Sequence, residues 1–457
     1  YKHSLTSAPN MKRMYSRLQQ ISFRTHLLIS ALLRLLLICY AQFHDAKSEV
    51  PYTDIDYKVV TDGARQVLAG GTPFARHTYR YSPILAYIQI PNVVLHAAYG
   101  KLIYAAFDLL LAVLIHALVR QQLQLQFGHA VQYLLSKQHK LCLETQTEKQ
   151  RIETLACWAA CCWLYNPLTA VISTRGSGDS FSSFFVVLSI YLLLKAEQEA
   201  TQPCWIVFGA GLAHGFVIHL RLYPLLFSLA YYLCLSTKLA KNPRELLLRF
   251  ILPNKQQLCL VLGTLLSLTI FTWSFYSLYG WQYIYEAYIY HFVRKDVRHN
   301  FSLHFLLQYL SSEQSTLVMK LLILAPQFLL IFYLSLSFGQ FRQTLPFCVF
   351  SLAFVIVTYN SVVTSQYFVW YLALLPLCLC NFERLSLKRC LCYVLLWLIG
   401  QGLWLLPAYL LEFKTWHTFY WIGLQSAVFF IINSYILKQL VYNYGFKSFK
   451  VRTSKKI

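Results

Sequence analysis

The sequence predicts an all-α polytopic membrane protein, and three observations carry that prediction. Hydrophobic residues make up 57% of the 457 residues and charged ones only 13%, about half the roughly 25% of soluble domains. At a mean hydropathy of +0.47 the chain has too little polar surface to cover a fold in water. Apolar stretches near spanning length recur along the chain, and about 20 residues of helix cross the hydrocarbon core of a bilayer.

Taken in order, residues 1–26 form a basic tail. The first apolar segment, 27–43, carries Arg34 at its centre and starts too late for a cleaved signal peptide, so it reads as a retained helix. Further spans follow at 101–119, 154–172, 180–195, 203–219, 223–237, 258–279, 317–337, 345–361, 366–381, 390–410 and 418–438, about twelve in all. The stretch 83–98 is short and interrupted by Pro91-Asn92, which predicts an interfacial or re-entrant helix. Residues 442–457 form a second basic tail. No repeat of 20–50 residues and no pair of related halves is visible, which argues against the usual architecture of secondary transporters.

Charge orients the spans. With the N-terminus in the cytosol, 26 of the 40 Lys and Arg fall in cytosolic segments and 11 on the opposite side, with Arg34, Lys101 and Lys320 in or at span ends. That asymmetry follows the positive-inside rule. It accounts for the net charge of +22 without a nucleic-acid partner, which we do not expect. The 13 cysteines lie mostly inside apolar runs, where thiols act as small hydrophobes rather than as a disulfide framework or zinc site.

Acids are scarce, so their placement is informative. Five of the 18 fall between residues 45 and 62, namely Asp45, Glu49, Asp54, Asp56 and Asp62, in the first non-cytosolic loop. Within it, Tyr52-Thr53-Asp54-Ile55-Asp56-Tyr57 places two carboxylates at i and i+2. In a turn or along one side of a strand they project together and suit deprotonation of a hydroxyl or binding of a cation. A basic block, Arg294, Lys295, Arg298 and His299, lies in a later loop on the same side. Cations there run against the orientation rule and suit a phosphate headgroup. Asn300-Phe301-Ser302 is a formal glycosylation sequon beside that block, and we expect it to be unoccupied.

Smaller features point to the same face. Thr174-Arg175-Gly176-Ser177-Gly178-Asp179-Ser180 is a short linker whose glycines let backbone amides approach an anion. His214, His219, Arg221 and Tyr223-Pro224 mark a hairpin, and the spacing of the two histidines does not suit a metal pair. Gln366-Tyr367-Phe368-Val369-Trp370-Tyr371 reads as an aromatic interfacial belt. Asp108 is an intramembrane acid, a functional candidate or a partner for Arg34 or a backbone amide.

The joint pattern resembles the catalytic subunits of the GPI mannosyltransferase 1 family. The resemblance rests on Tyr52 to Tyr57, Thr61-Asp62-Gly63-Ala64-Arg65, Tyr79-Arg80-Tyr81-Ser82-Pro83 and Trp163-Leu164-Tyr165-Asn166-Pro167. It extends through Thr174 to Ser177, His214-Gly215, Arg294 to Ser302 and Gln366 to Tyr371. It implies a GT-C glycosyltransferase of the endoplasmic reticulum membrane with a luminal active site. The transmembrane catalytic domain would be 27–441, with a first luminal loop (44–100) carrying interfacial helices and the acidic motif. A second, basic luminal loop would be 280–316.

The implied reaction transfers the first mannose, in α1,4 linkage, from dolichyl phosphate mannose to glucosaminyl-(acyl)phosphatidylinositol. Asp54 and Asp56 match the family's Asp-x-Asp motif. A small single-span accessory subunit is the implied partner.

A β-linked donor and an α-linked product make the reaction inverting, which needs one base opposite the leaving phosphate. Either Asp54 or Asp56 would serve. Arg294, Lys295, Arg298, His299, Arg175 and Arg221, with Arg80 and Tyr81 of the matched segment, are the candidate substrate-binding residues. A departing monophosphate can be balanced by such cations, so no metal and no other cofactor is expected. The competing readings are a transporter or channel using Asp108, and another dolichol-dependent enzyme of the same fold.

Overall fold

The computed structural model describes residues 21–135, 144–198, 203–236, 244–245, 251–293, 300–310, 317–382 and 384–445. The described residues are helical, with no strands. The chain divides into two compact units, residues 1–79 with 83–187, and residues 80–82 with 188–457.

The first unit opens with α1 (Phe23–Lys47), capped by Ser22, whose hydroxyl accepts from the Thr25 amide. Helix α2 (Ile55–Leu68) follows, and Asp54 is its N-cap. One face of α2 is apolar; it buries Tyr57, Val59, Val60 and Ala64. The segment expected to be interfacial forms two short helices, α3 (Pro83–Ile88) and α4 (Ile90–Val94). At about 1.5 Å per residue neither could cross a bilayer. Then come α5 (Tyr99–Leu135), α6 (Glu144–Leu164) and α7 (Pro167–Thr174). The last two are bent by 52° at Asn166-Pro167, where proline cannot continue the ladder and Asn166 caps the new helix. Helix α8 (Asp179–Gln198) starts in the first unit and ends in the second.

The second unit holds α9 (Cys204–Leu220), α10 (Ser228–Leu233) and α11 (Lys255–Ile284). Beyond these lie α12 (Phe305–Leu310), α13 (Leu317–Phe338) and α14 (Leu345–Thr358). The last helices are α15 (Phe368–Leu372), α16 (Leu387–Lys414) and α17 (Phe419–Asn443). Helices α9 and α11 touch backbone to backbone. A Cβ on Gly211 would stand 2.4 Å from the Leu260 carbonyl, and one on Gly215 would stand 2.4 Å from that of Thr264. Small residues four apart permit this approach where lipid supplies no hydrophobic drive.

Among the described residues, six helices are long and apolar enough to cross a membrane, seven if the bent α6–α7 pair forms one span. These coincide with the segments expected at 27–43, 101–119, 154–172, 180–195, 258–279, 390–410 and 418–438. Of the other expected spans, 203–219 and 345–361 fall on shorter helices, α9 with 17 residues and α14 with 14, while 317–337 falls on the 22-residue α13, whose apolar stretch Ile323–Phe338 is short of a span. The stretch 366–381 is broken into 3-10 and α turns around Pro376.

One expectation is corrected here. The aromatic run at 366–371 is not a lipid-facing belt: Phe368, Trp370 and Tyr371 are buried in the protein. Trp370 stacks on Tyr223 with ring centroids 3.8 Å apart, and Tyr371 lies 4.5 Å from Phe354. These rings gain more from one another in the core than from headgroups at the interface.

Candidate active site

The acid-rich stretch of the first loop separates into parts with different roles. Asp45 closes the turn after α1, its carboxylate accepting from the amides of Tyr52 at 2.5 Å and Thr53 at 3.0 Å and from the Thr53 hydroxyl. Lys101, itself buried, donates to the same hydroxyl at 2.6 Å. Asp62 pairs Arg65 at 2.5 Å and Arg76 at 3.2 Å across an exposed surface. Glu49 is exposed. Asp54 and Asp56 stand apart from this scaffolding.

Their geometry is neither the turn nor the strand edge that the sequence suggested. Asp54 has extended backbone (φ −63°, ψ 142°) as N-cap of α2, and its carboxylate accepts from the Asp56 amide at 3.1 Å. Asp56 sits in the first helical turn, where the unpaired amides favour negative charge. Both are half-buried. Burial pushes the Asp54 carboxyl above the usual range, and the neighbouring Asp56 charge pushes it further. Arg175 and the Asp56 amide pull the other way, without cancelling the rise.

The linker 174–180 is bonded to this motif. The Asp54 amide donates to the Arg175 carbonyl at 3.0 Å, and the hydroxyls of Thr174 and Tyr52 meet at 2.7 Å. Gly176 has φ +99°, and a Cβ there would fall 2.4 Å from the Tyr57 ring. Only glycine fits both that backbone and that contact. Arg175 has a buried Nε without a hydrogen-bond partner. Asp179, fully buried at the start of α8, accepts from the Ser177 hydroxyl at 2.6 Å; sequence reasoning did not single it out.

Asp108 explains why this linker holds its shape. It is fully buried in α5 and takes hydrogen bonds from the hydroxyls of Ser173, at 2.6 Å, and Ser180. The linker is therefore pinned at both ends. Arg34 neutralises the carboxylate at 2.8 Å, and its Nη1 donates to the Leu164 carbonyl at 3.2 Å. The Trp163 indole donates to the Asp108 carbonyl at 3.1 Å. Of the roles open to Asp108, pairing with Arg34 is the one observed.

In the second unit, Arg80 pairs Glu286 at 2.5 Å, each side chain 18% exposed, and lies 4.1 Å over the Tyr290 ring. Arg221 caps α9 and sits 5.5 Å over Tyr81. Glu286 was missed; one of few acids, alone in an aromatic run, it gave a signal in its scarcity. Arg294, Lys295, Arg298 and His299 lie outside the described residues.

The sequon beside them has a structural role. Asn300 is fully buried; its amide donates to Gln308 at 3.1 Å and the Ser361 carbonyl at 2.7 Å, and its oxygen accepts from Ser302 and Val363. His214 and His219 take separate partners, Ser228 and Ser82, each at 2.8 Å. Among the described residues, the group spaced for a metal is His26, Cys157 and Cys161, with ligand atoms within 4.8 Å of one another. His26 is in the first turn of α1, about 30 Å of helix from its far end before the acidic motif.

Comparison with known proteins is consistent along the chain. Residues 172–441 match the family described as "Mannosyltransferase (PIG-M)". The chain is 40% identical over 418 residues to the "GPI alpha-1,4-mannosyltransferase I, catalytic subunit" of Danio rerio, covering 91% of this chain and 95% of that one. It is 32% identical over 442 residues to "GPI mannosyltransferase 1" of Dictyostelium discoideum, 92% and 91% of the two chains. To the Saccharomyces cerevisiae protein of that name it is 32% identical over 425 residues, 90% and 93%.

Proposed function

The chain belongs to the GPI mannosyltransferase 1 family, and we propose that it transfers the first mannose, in α1,4 linkage, from dolichyl phosphate mannose to glucosaminyl-(acyl)phosphatidylinositol. The family makes it a membrane-embedded mannosyltransferase of GPI-anchor assembly; linkage, donor and acceptor are our reading. So are the endoplasmic reticulum location, the luminal orientation of the first loop and the single-span accessory subunit.

In this mechanism Asp54 is the base. Its carboxylate takes the proton of the acceptor hydroxyl as the hydroxyl oxygen bonds to the anomeric carbon. The bond from that carbon to the phosphate oxygen breaks on the opposite face, and dolichyl phosphate leaves. A carboxyl raised towards neutrality accepts a proton more readily than an ordinary one. The observation that carries the choice is the placement of Asp54, held at the start of α2 with its amide bonded to the Arg175 carbonyl at 3.0 Å; burial and the adjacent Asp56 charge raise its carboxyl there, which makes Asp56 a neighbour that tunes the base. Arg175, Arg80, Tyr81 and Arg221, with Arg294, Lys295, Arg298 and His299, are assigned to the phosphates that both lipid substrates carry. Because the leaving group is a monophosphate, these cations suffice and no metal is invoked.

Asn caps a helix as well as Asp does, so D54N separates capping from catalysis. Microsomes carrying abundant D54N should lose roughly 10²–10⁴-fold in mannosyl transfer from labelled dolichyl phosphate mannose, while D56N retains more. The wild type should keep its rate in a chelator. Full activity of D54N would remove Asp54 as the base, and activity lost in the chelator would restore a metal to the mechanism.

A further inference from the structure

His219 lies at the end of α9 with 4% of its surface exposed, in a slot between two rings of α11. Phe271 is 5.3 Å away at 21° and Phe275 5.6 Å away at 5°. The slot exists because the glycines of α9 bring the two helices together. Both imidazole nitrogens are engaged. Nε2 meets the Ser82 hydroxyl at 2.8 Å; Nδ1 meets the Tyr288 hydroxyl at 2.8 Å and that of Tyr283 at 3.3 Å. A neutral imidazole donates from one nitrogen and accepts at the other, so hydroxyls on both sides satisfy it.

The two ends of this chain are not ordinary structure. Tyr288 belongs to a π-helical turn, Tyr285–Ile289, that follows α11. Such a turn carries an extra residue and is rarely kept without a role. The same turn presents Glu286 to Arg80, and just past it Tyr290 lies beneath the Arg80 guanidinium. His291 Nε2 meets the Arg80 carbonyl at 3.0 Å. At the other end, Ser82 is 3% exposed and two residues from Arg80. The π turn therefore reaches Arg80 through Glu286 and Tyr290, and reaches its neighbour Ser82 through His219.

We infer that His219 is a positioning residue for substrate phosphate recognition: held between Tyr288 and Ser82, it sets the segment Arg80–Ser82 against the π turn and so fixes where the Arg80 guanidinium is presented. This rests on the assignment of Arg80 to a phosphate of the lipid-linked donor. The imidazole takes no part in bond making.

The test uses the full-length enzyme and dolichyl phosphate mannose, with KM and kcat measured separately. H219F keeps the ring and removes both hydrogen bonds. It should raise the donor KM about tenfold, the loss of one to two well-formed hydrogen bonds, with kcat near wild type, and H219Q should recover part of the loss. S82A and Y288F remove single hydroxyls from the two sides of the ring, so combining them should cost little more than either alone. That pair also keeps the test sharp should H219F fold poorly. An unchanged donor KM in H219F, or effects of S82A and Y288F that multiply, overturns the relay. R80Q separates the two ideas: a raised KM in R80Q with none in H219F sinks the relay alone. An unchanged KM in R80Q sinks the assignment of Arg80 and the relay with it.

Discussion

Asp54, the proposed base, also caps α2, and the two roles make opposite electrostatic demands. As N-cap it accepts from the Asp56 amide at the positive end of α2, which favours the ionised form; burial and the Asp56 charge favour the neutral one and prevail. Arg175 is the cation that opposes the rise. Replacing it by Gln should therefore raise the Asp54 carboxyl further, so the base stays protonated to higher pH. The acidic limb of the rate profile of R175Q should move to higher pH, whereas that of D56N should move to lower pH because a raising charge has gone. Profiles of mannosyl transfer from pH 4 to 8, on the scale of carboxylate titration, check both signs. Identical limbs in all three proteins would show that a different group sets the profile. The Asp-x-Asp pair was legible in the sequence because its spacing is local. Which carboxyl is the more perturbed was not, since burial and the nearness of Arg175, some 120 residues away in the chain, are properties of the fold.

At the scale of elements, the linker 174–180 owes its place to an ion pair inside the helices. Ser173 and Ser180 bond to one carboxylate, Asp108, that Arg34 of α1 neutralises. Between the two serines the chain turns at Gly176 over Tyr57 and offers the Arg175 carbonyl to Asp54. Removing one charge of a buried pair costs about 3–5 kcal/mol, whereas replacing both with apolar residues is often neutral. D108L alone should therefore lower the thermal stability of the detergent-solubilised protein sharply, and R34M/D108L should recover most of it. Activity should not follow, because neither serine regains its bond to α5 and the linker loses its pins. Should the double variant recover transfer along with stability, the ion pair matters for folding alone. The sequence marked Asp108 as an intramembrane acid and Arg34 as a possible partner, but the serines were hidden in a run of small polar residues. Glu286 stood out as a lone acid in an aromatic run, but its role could not be read. Its partner Arg80 lies about 200 residues away, and the π turn that aims it leaves no trace in the hydrophobic pattern, because one inserted residue does not alter a mostly aromatic and aliphatic run.

For the whole molecule, composition and apolar length were enough to read a helical membrane protein, yet not to fix each crossing. Long helices such as α1, α16 and α17 coincide with the expected segments. Where proline or close packing breaks a segment, as at 366–381, hydropathy alone could not tell a crossing from buried short turns. The proposed orientation rests on the uneven basic residues, 26 against 11, and would put the first loop with Asp54 in the lumen. A glycan acceptor can test this, because the chain has one Asn-x-Ser/Thr sequence, at Asn300. Its amide is buried and fully bonded, so the wild type should show no endoglycosidase-sensitive shift. The turn Ala69–Gly71 after α2 is exposed, and Gly70 has nothing within 4 Å of where a Cβ would stand; such a tip tolerates insertion. A short flexible segment bearing an Asn-Ser-Thr acceptor inserted there should become glycosylated in microsomes, and the same segment placed ahead of Ser22 should not. The opposite pattern would turn the molecule over and put Asp54 in the cytosol. A shift in the wild type would mean that the chain is modified at Asn300 before the bracket with Ser361 and Val363 closes.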